Sequence, residues 1–289
     1  MRYEGAVYRP PSEAGSLIIQ LTIGCARNTC TFCSMYKSKK FRIRPLNDVV
    51  EDMLMSKRYY TFGVRRLFLA DGDALIVKTD DLLYILNRAY EIFPTLERIT
   101  MYGAPKDVLG KTDEELAALK KAGLYMVYIG AESGDDEVLK EVKKGATAAE
   151  IRDAVLKLKK AGIKVSMTLI SGLGGQKRLK EHALDSAKLV TESKPDYVGF
   201  LTLMVEPGTE MEQKISTGEM KLLTPGQVME EIKLFIENVD SEGTVFRSNH
   251  ASNYLPLAGT FNADKAHLLE IINNAVKNKS YRPEYWRGL

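Results

Sequence analysis

The feature that most constrains the fold of this chain is a regular alternation of short apolar runs with longer segments of helical period. At this spacing, consecutive strands lie parallel and are joined by right-handed crossovers. Six such units predict an α/β fold, a (β/α)6-type partial TIM barrel with an added C-terminal strand and helix. The predicted strands are residues 17–23, 65–70, 98–102, 125–130, 164–171, 197–204 and 244–249.

The predicted helices begin with recognisable capping residues. The spacing of the capping box is present twice, at Thr112 with Glu115 and at Thr147 with Glu150. Thr79 is predicted to be the N-cap of the helix that follows the second strand.

Composition places the chain among ordinary globular proteins, at 45% hydrophobic and 27% charged residues. No shift in composition divides it, so we expect one domain over residues 1–289, with a core at about 17–210 and a C-terminal extension, 211–289, that contributes to the substrate site. No apolar run approaches the roughly 18 residues of a membrane span, and the N-terminus lacks the apolar core of a secretory signal. We therefore expect a cytoplasmic protein with no membrane partner.

All three cysteines, Cys25, Cys30 and Cys33, lie in the loop after the first predicted strand, with the spacing C-x4-C-x2-C. The odd number and the reducing compartment argue against disulfides. Structural zinc usually takes four Cys or His ligands, and no histidine lies near this loop in sequence. A four-iron cluster on three thiolates would leave one iron open to a substrate or cofactor. A cluster is favoured, and zinc or inert thiols are the alternatives.

This triad, with Phe32 just before its last cysteine, resembles the radical S-adenosylmethionine superfamily. The usual spacing there is C-x3-C-x2-C, so this chain has one extra residue. A Pro-Gly-Thr turn at 207–209 is similar to the compact subgroup of anaerobic coproporphyrinogen oxidase and the elongator catalytic subunit. The resemblance implies a [4Fe–4S] cluster on the three cysteines, S-adenosylmethionine as cofactor, and an electron donor such as flavodoxin or ferredoxin.

The resemblance also implies cofactor contacts at other strand ends. Carboxylates suit an ammonium group and ribose hydroxyls, and a cation suits a carboxylate. The alternatives are an ordinary Asp-Gly turn and an acidic helix N-terminus. Phe32, within the cysteine triad, is one implied cofactor contact. The others are Asp71, Gly72 and Asp73 for the methionine amino group, Glu132 followed by Ser133 for the ribose, Lys144 for the methionine carboxylate, and Ser166 and Gly172 for the adenine and methionine moieties.

Substrate recognition is predicted in the polar segment 246–256, which leaves the seventh strand. A guanidinium there suits a carboxylate or phosphate, and a histidine suits proton transfer near neutral pH. The alternative is a hydrogen-bonded surface loop. The candidates for substrate binding or catalysis are Met101, Tyr102, Arg247, Asn249, His250, Asn253 and Tyr254.

The resemblance implies an enzyme that cleaves S-adenosylmethionine reductively and uses the 5′-deoxyadenosyl radical to abstract hydrogen from a small polar substrate. No further cysteine is present for a second cluster, which argues against sulfur insertion. Our specific hypothesis is a lyase acting on a modified nucleoside or nucleotide such as queuosine, releasing queuine. The alternatives are a tRNA-modifying enzyme that uses the basic run 37–44, a porphyrin decarboxylase-like enzyme, and a non-catalytic metal-binding protein. The net charge of +3 is too low to favour nucleic acid as the partner.

Overall fold

Ten strands are present in residues 2–288, which are the residues that the computed structural model describes. They are β1 (Leu17–Gln20), β2 (Thr22–Ile23), β3 (Arg42–Ile43), β4 (Arg66–Ala70), β5 (Arg98–Tyr102), β6 (Leu124–Glu132), β7 (Lys164–Ser171), β8 (Tyr197–Thr202), β9 (Val245–Arg247) and β10 (Ala258–Thr260). Eight form one sheet in the order β1-β4-β5-β6-β7-β8-β9-β10, and β2 pairs with β3. Pairing is parallel from β1 to β6 and from β7 to β9, and antiparallel between β9 and β10. The predicted α/β fold of parallel strands is confirmed.

The strand bounds follow the sequence closely in the centre of the sheet and less closely at its ends. The strands at 98–102 and 164–171 have the predicted bounds. The predicted strand 17–23 is two strands, because Leu17–Gln20 pairs with β4 whereas Thr22–Ile23 pairs with β3. Strand β10 was not predicted, since three residues without alternation carry too little pattern.

The helices largely begin where the capping residues predict. Thr112 and Glu115 form the capping box, and Thr147 and Glu150 exchange the same two hydrogen bonds. The prediction for Thr79 is wrong: it is the first helical residue, and its hydroxyl donates to Oε1 of Glu115 at 2.6 Å. The helices are α1 (Leu46–Tyr59), α2 (Thr79–Ile92), α3 (Pro105–Gly110), α4 (Asp113–Lys121), α5 (Asp136–Glu141), α6 (Ala148–Lys160), α7 (Leu179–Ser193), α8 (Glu210–Ser216), α9 (Pro225–Asn238) and α10 (Lys265–Asn278).

The chain divides into two compact units, and the first comprises residues 2–28, 35–129 and 157–165. Helix α2 packs against α1 and α4. Three aromatic rings from neighbouring strands, Phe68, Tyr102 and Tyr128, meet edge to face. The Tyr128 hydroxyl donates to the buried carboxylate of Glu13 at 2.6 Å.

The second unit comprises residues 29–34, 130–156 and 166–288. Helix α9 packs against α7 and α10. Four phenylalanines pack in its core, and Phe246 and Phe261 are stacked at 5.0 Å between ring centroids. None of the helices within residues 2–288 is both long and apolar enough to span a bilayer. The expectation of a single domain stays a prediction.

Candidate functional site

The turn after β4 is hydrogen-bonded to the beginning of the cysteine loop, residues 24–33. The amide of Gly72 donates to the carbonyl of Gly24 at 3.1 Å, and the amide of Gly24 donates to Oδ2 of Asp71, also at 3.1 Å. A Cβ at Gly72 would lie 2.9 Å from Cβ of Cys25 and 2.7 Å from the Tyr36 ring. Only glycine fits there. Two segments assigned to the cofactors from sequence are therefore in contact.

Asp71 is fully buried, and both of its carboxylate oxygens are already engaged. Lys39 donates to Oδ2 at 2.7 Å, and the amide of Gln20 lies 3.2 Å from each oxygen. The Lys39 side chain is itself only 7% exposed, so this is a buried ion pair. A carboxylate with this many partners positions the turn, and its predicted contact with an ammonium group stays a prediction.

Asp73 is a buried carboxyl group beside a second one. Its Oδ1 accepts from the amide of Ala104 at 3.3 Å, while Oδ2 has no hydrogen-bond partner within residues 2–288. Burial, followed by the nearby charge of Asp107, raises the pKa of Asp73 to about 8. Asp107 in turn accepts from Arg27 at 3.3 Å. Asp73 is therefore an acid that is mostly protonated at neutral pH.

Cys30 and Cys33 belong to the second unit, where the segment 29–34 is fixed by its backbone. The amide of Thr31 donates to Val142 and its carbonyl accepts from Met211, both at 3.0 Å. Phe32 packs against an apolar cluster. Both cysteines are half-buried, as is Cys25 in the first unit. Phe32 thus anchors the loop, and its contact with the cofactor stays a prediction.

Glu132 and Lys144, predicted for the ribose and the methionine carboxylate, form an ion pair of 2.9 Å at the end of β6. Their side chains are only 12% and 14% exposed. Glu132 has a left-handed backbone with φ of 68°, a conformation that is costly for a non-glycine residue and often found at functional sites. A Cβ at Gly130 would lie 2.1 Å from Oε1 of Glu132, so a side chain at this position would displace that carboxylate.

Ser133 and His182 form a buried network behind Glu132. The Ser133 hydroxyl lies 2.8 Å from Nδ1 of His182 and accepts from the amide of Asp135 at 2.9 Å. Nε2 of His182 lies 3.1 Å from the carbonyl of Ile170. Ser133 is fully buried, so it supports the turn through these bonds.

Ser166 and Gly172, predicted together, lie far apart along β7. Ser166 is opposite Tyr197, the first residue of β8. It precedes the last residue of β7 by five positions, or roughly 16 Å of strand. Gly172 lies just beyond the C-terminal end of β7, where its amide donates to Oε2 of Glu231 at 2.7 Å. Ser166 therefore lies near the beginning of β7, and its role in cofactor binding stays a prediction.

Glu231 was missed by the sequence analysis because it lies in the apolar pattern of helix α9. Its Oε2 accepts from the Ser171 hydroxyl at 2.5 Å, while Oε1 has no partner within residues 2–288. Burial raises the pKa of Glu231, and the charge of His182 opposes that shift. Hydrogen bonding through Ser171 and Gly172 fixes the end of β7.

The polar segment 246–256 is mostly a hydrogen-bonded part of the fold. The exposed Arg247 donates to the carbonyls of Phe246 and Gly259, and Asn249 is also exposed. Asn253 is buried, accepting from Thr202 at 2.9 Å and donating to the carbonyl of Phe200 at 2.8 Å.

His250 and Tyr254 complete this segment. His250 lies 2.9 Å from the Ser252 hydroxyl, and burial lowers its pKa. Tyr254 lines a cavity of about 340 Å³ beside Ser171 and Thr202, the last residues of β7 and β8. Tyr254 therefore lies in the wall of a cavity at the C-terminal ends of two strands.

Arg287, a second residue missed from sequence, holds several stretches of the second unit together. Its guanidinium stacks on the Tyr254 ring at 4.0 Å. It donates to the carbonyls of Ser252 and Leu203, at 2.7 and 3.1 Å, and to Glu284 at 2.6 Å. Further bonds reach the Tyr254 hydroxyl and the sulfur of Met204. An arginine in a short segment without helical or strand period gives no signal by which to find it.

Met101 and Tyr102 are adjacent in β5, so their side chains leave opposite faces of the strand. Met101 is fully buried, whereas Tyr102 is half-buried and belongs to the aromatic group with Phe68 and Tyr128. The two residues therefore do not line the same pocket.

Three of the five cations in the basic run 37–44 are paired with carboxylates within the first unit. Lys39 pairs with Asp71, Arg42 with Glu4, and Arg44 with Asp52. The Lys37 ammonium donates to the carbonyl of Asn28 at 2.9 Å. This pattern offers few cations to a phosphate backbone.

Within residues 2–288, no three His, Cys, Asp or Glu side chains converge as a metal site. The chemistry of the loop nevertheless suits an iron–sulfur cluster, because three half-buried thiols lie in one nine-residue stretch. The assignment of Cys25, Cys30 and Cys33 as ligands stays a prediction.

Comparison with known proteins identifies the family. The family model described as the radical SAM superfamily matches residues 19–189. The chain belongs to the radical SAM superfamily. The prediction of a radical SAM enzyme is thus confirmed. The prediction of a [4Fe–4S] cluster and S-adenosylmethionine as cofactors is confirmed at the level of the family.

Individual proteins are similar to part of this chain in sequence or in fold. A putative methylthiotransferase from Methanocaldococcus jannaschii is 30% identical over 167 residues, 55% of this chain and 35% of that protein. Coproporphyrinogen III oxidase from Escherichia coli superposes with a TM-score of 0.58 at 20% identity, covering 77% of this chain and 51% of that one. The radical S-adenosylmethionine methyltransferase TsrM from Kitasatospora setae superposes with a TM-score of 0.57 at 21% identity, covering 71% of this chain and 40% of that one.

These likenesses support the fold of a radical SAM partial barrel, including the predicted similarity to coproporphyrinogen oxidase. The chain spans 26% to 52% of the length of the first curated relatives that it matches.

Proposed function

We propose that Cys25, Cys30 and Cys33 hold the [4Fe–4S] cluster of this radical SAM enzyme and that its substrate is a small molecule. The observation that supports the first part is the contact between Gly72 and Cys25, with no room for a Cβ. When bound, the cluster would pass one electron from an external reductant to S-adenosylmethionine, and the chemistry so supplied would be hydrogen-atom abstraction from the substrate.

In this proposal the chain binds and orients the cofactor through Glu132 and Lys144. The two side chains bond to each other at 2.9 Å in a site that is almost closed to water. A ribose diol replaces Lys144 as the partner of Glu132, and a carboxylate replaces Glu132 as the partner of Lys144. Asp73, protonated at neutral pH because its pKa is about 8, presents a neutral oxygen acceptor beside Gly72.

A small molecule is favoured over tRNA because three of the five cations in the basic run 37–44 are paired with carboxylates of the same unit. The cavity at the ends of β7 and β8 has a volume of about 340 Å³, within the range of small-molecule pockets. Its walls are mainly aliphatic, with the Tyr254 ring on one side. These features support an occupant with an apolar or flat part.

Within this class, the specific hypothesis is a lyase that releases queuine from queuosine or its phosphate, in the cytoplasm, with flavodoxin or ferredoxin as reductant. None of the relatives named above carries that activity in its name. The second candidate, a tRNA-modifying enzyme, is favoured by the 26% identity over 217 residues to a tRNA-2-methylthio-N(6)-dimethylallyladenosine synthase from Shewanella putrefaciens, of which the match covers 43%.

The test begins with anaerobic reconstitution with iron and sulfide. The protein should cleave S-adenosylmethionine under dithionite to methionine and 5′-deoxyadenosine, measured by mass spectrometry. Cys30→Ala should abolish cleavage while the circular dichroism spectrum is retained. The matched control is Gly226→Ala, where an added Cβ meets nothing within 4 Å. Turnover by Cys30→Ala would refute the ligand assignment.

The substrate class is then tested with queuosine, its 5′-phosphate and unmodified tRNA in parallel. Release of queuine supports the lyase hypothesis. Modification of tRNA, with binding that weakens steeply as salt increases, supports the second candidate instead.

A further inference from the structure

The hydroxyl groups of the cavity at the ends of β7 and β8 restrict what its occupant can be. Three side-chain hydroxyls contribute to the wall of this cavity, those of Ser171, Thr202 and Tyr254. A hydroxyl has one hydrogen to donate and two lone pairs that accept. If each hydrogen is already donated within the protein, these hydroxyls can only accept from a ligand.

Thr202 is the clearest of the three, because its partner can be oriented in one way only. The side-chain nitrogen of Asn253 donates to the carbonyl of Phe200 at 2.8 Å, and a carbonyl only accepts. Oδ1 of Asn253 therefore faces the Thr202 hydroxyl, 2.9 Å away. Since an amide oxygen also only accepts, the Thr202 hydroxyl must be the donor. Only its lone pairs are left for the cavity.

Ser171 and Tyr254 donate their hydrogens to carboxyl groups. The Ser171 hydroxyl donates to Oε2 of Glu231 at 2.5 Å, and that oxygen also accepts from the amide of Gly172 at 2.7 Å. Because Oε2 already accepts twice, a proton on this carboxyl group belongs on Oε1, and the direction of the Ser171 bond is unchanged. The Tyr254 hydroxyl donates to Oε2 of Glu284 at 2.7 Å.

The N–H groups beside these hydroxyls are also engaged. A guanidinium has five N–H hydrogens, and those of Arg287 are matched by the five acceptors already described. The amide of Thr202 donates to the Ser252 hydroxyl at 3.2 Å, and the amide of Leu203 donates to the carbonyl of Ser171 at 2.9 Å. These groups therefore have no hydrogen left for a ligand that needs a donor.

Two of the acceptor hydroxyls are close enough for one ligand group to reach both. Ser171 and Thr202 are the last residues of β7 and β8 and lie opposite each other in the parallel register. Neighbouring strands are about 4.8 Å apart. An ammonium group has three hydrogens and can donate to both oxygens, whereas an alcohol has one hydrogen and can donate to one. A carbonyl oxygen at the same place would be buried without a donor, which is unfavourable.

We propose that the occupant of this cavity is a primary amine with a flat or apolar body, and that its ammonium group donates to Ser171 and Thr202. This inference rests on the proposed function, in which the cavity receives the substrate, and it names the substrate class. The positive charge of Arg287 is balanced by Glu284 at 2.6 Å, so this cation does not oppose an ammonium group in the cavity.

The test compares three compounds with the same ring and carbon skeleton, 1-phenylethylamine, 1-phenylethanol and acetophenone. They differ in one group, which is an ammonium, an alcohol or a carbonyl. Binding to the purified full chain is followed by NMR titration of methyl groups. The shifts should be confined to the aliphatic residues that line the cavity, which are Leu203, Val205, Leu222, Leu223 and Val228.

We expect saturable binding of the amine, about tenfold tighter than binding of the ketone, with the alcohol between them. Binding of the ketone as tightly as the amine would overturn the proposal. Absence of saturable amine binding would do the same, as would shifts only at methyl groups outside the cavity.

Thr202→Val keeps the shape of the side chain and removes its oxygen. Amine affinity should fall about tenfold while ketone affinity stays unchanged, because the ketone accepts nothing from this oxygen. Damage to the packing would instead weaken both compounds equally, and that result would refute the role of Thr202. The matched control Thr217→Val, at an exposed threonine, should leave both affinities unchanged.

If Thr202→Val fails to fold, Ser171→Ala is the second test, with the same expected difference between amine and ketone. An equal loss for the two compounds, or no loss, would again overturn the proposal. The titration needs neither the cluster nor S-adenosylmethionine, so the two proposals fail separately. A protein that cleaves S-adenosylmethionine but prefers the ketone would refute this inference alone.

Discussion

Gly72→Ala is the sharpest perturbation that the structure offers. The added Cβ would lie 2.7 Å from the Tyr36 ring and 2.9 Å from Cβ of Cys25. Carbon atoms prefer about 3.5 to 4.0 Å, so roughly 0.6 to 1.3 Å of displacement is needed. Tyr36 is only 5% exposed and packs edge to face on Tyr8, which leaves its ring little room to move. Overpacking of this kind costs about 1 to 3 kcal/mol.

The assay has two measurements. Urea unfolding should show the free energy of unfolding falling by that amount, with the slope on denaturant unchanged. After anaerobic reconstitution, iron content and cleavage of S-adenosylmethionine should also fall, because the displaced atom belongs to a predicted ligand, Cys25. Gly226→Ala, with an open position in α9, should match the wild type in both measurements. A Gly72→Ala protein with wild-type stability and iron content would refute the close contact between these segments.

Three further predictions concern single substitutions in the two compact units. Lys39→Met should lower the free energy of unfolding by about 3 to 5 kcal/mol, because it leaves Asp71 as a buried charge without its cation; wild-type stability in denaturant would contradict the buried pair. Asp73 has its folded pKa raised to about 8 by burial and a neighbouring carboxyl group, so its contribution to stability is present below about pH 4 and is lost as the pH rises to 8. Across that range, the melting temperature of Asp73→Asn should rise relative to that of the wild type as the pH increases. If the two melting temperatures change in parallel with pH, the raised pKa of Asp73 is excluded. Gly130→Ala should weaken S-adenosylmethionine binding by about tenfold, measured by equilibrium dialysis, because its Cβ would displace the Glu132 carboxylate; unchanged affinity would remove Glu132 from the cofactor site.

Sequence patterns predicted the parallel sheet well because period and capping are local signals. The strand at 164–171 and the capping box of Thr112 have the predicted bounds and bonds. The wrong prediction for Thr79 has a tertiary cause, since its hydroxyl bonds to Glu115 on another helix.

The candidate site was harder to predict than the fold. Motifs indicated the residue types at Asp71 and Glu132, but their partners Lys39 and Lys144 are 32 and 12 residues away in the chain. The sequence could not show that most polar side chains of the segment 246–256 form hydrogen bonds within the fold itself. Each buried partner, such as that of Asn253, is set by tertiary contact and leaves no periodic trace.

The single guanidinium of Arg287 has a consequence for how the second unit opens. Because it bonds to 203–204, 252–254 and 284 at once, these stretches lose a common partner in any opening that releases it. They should therefore exchange their amide hydrogens as one cooperative group rather than fray separately. A lysine in place of Arg287 has one point charge instead of a planar guanidinium with several donors. It would not preserve the common protection of these stretches against amide exchange.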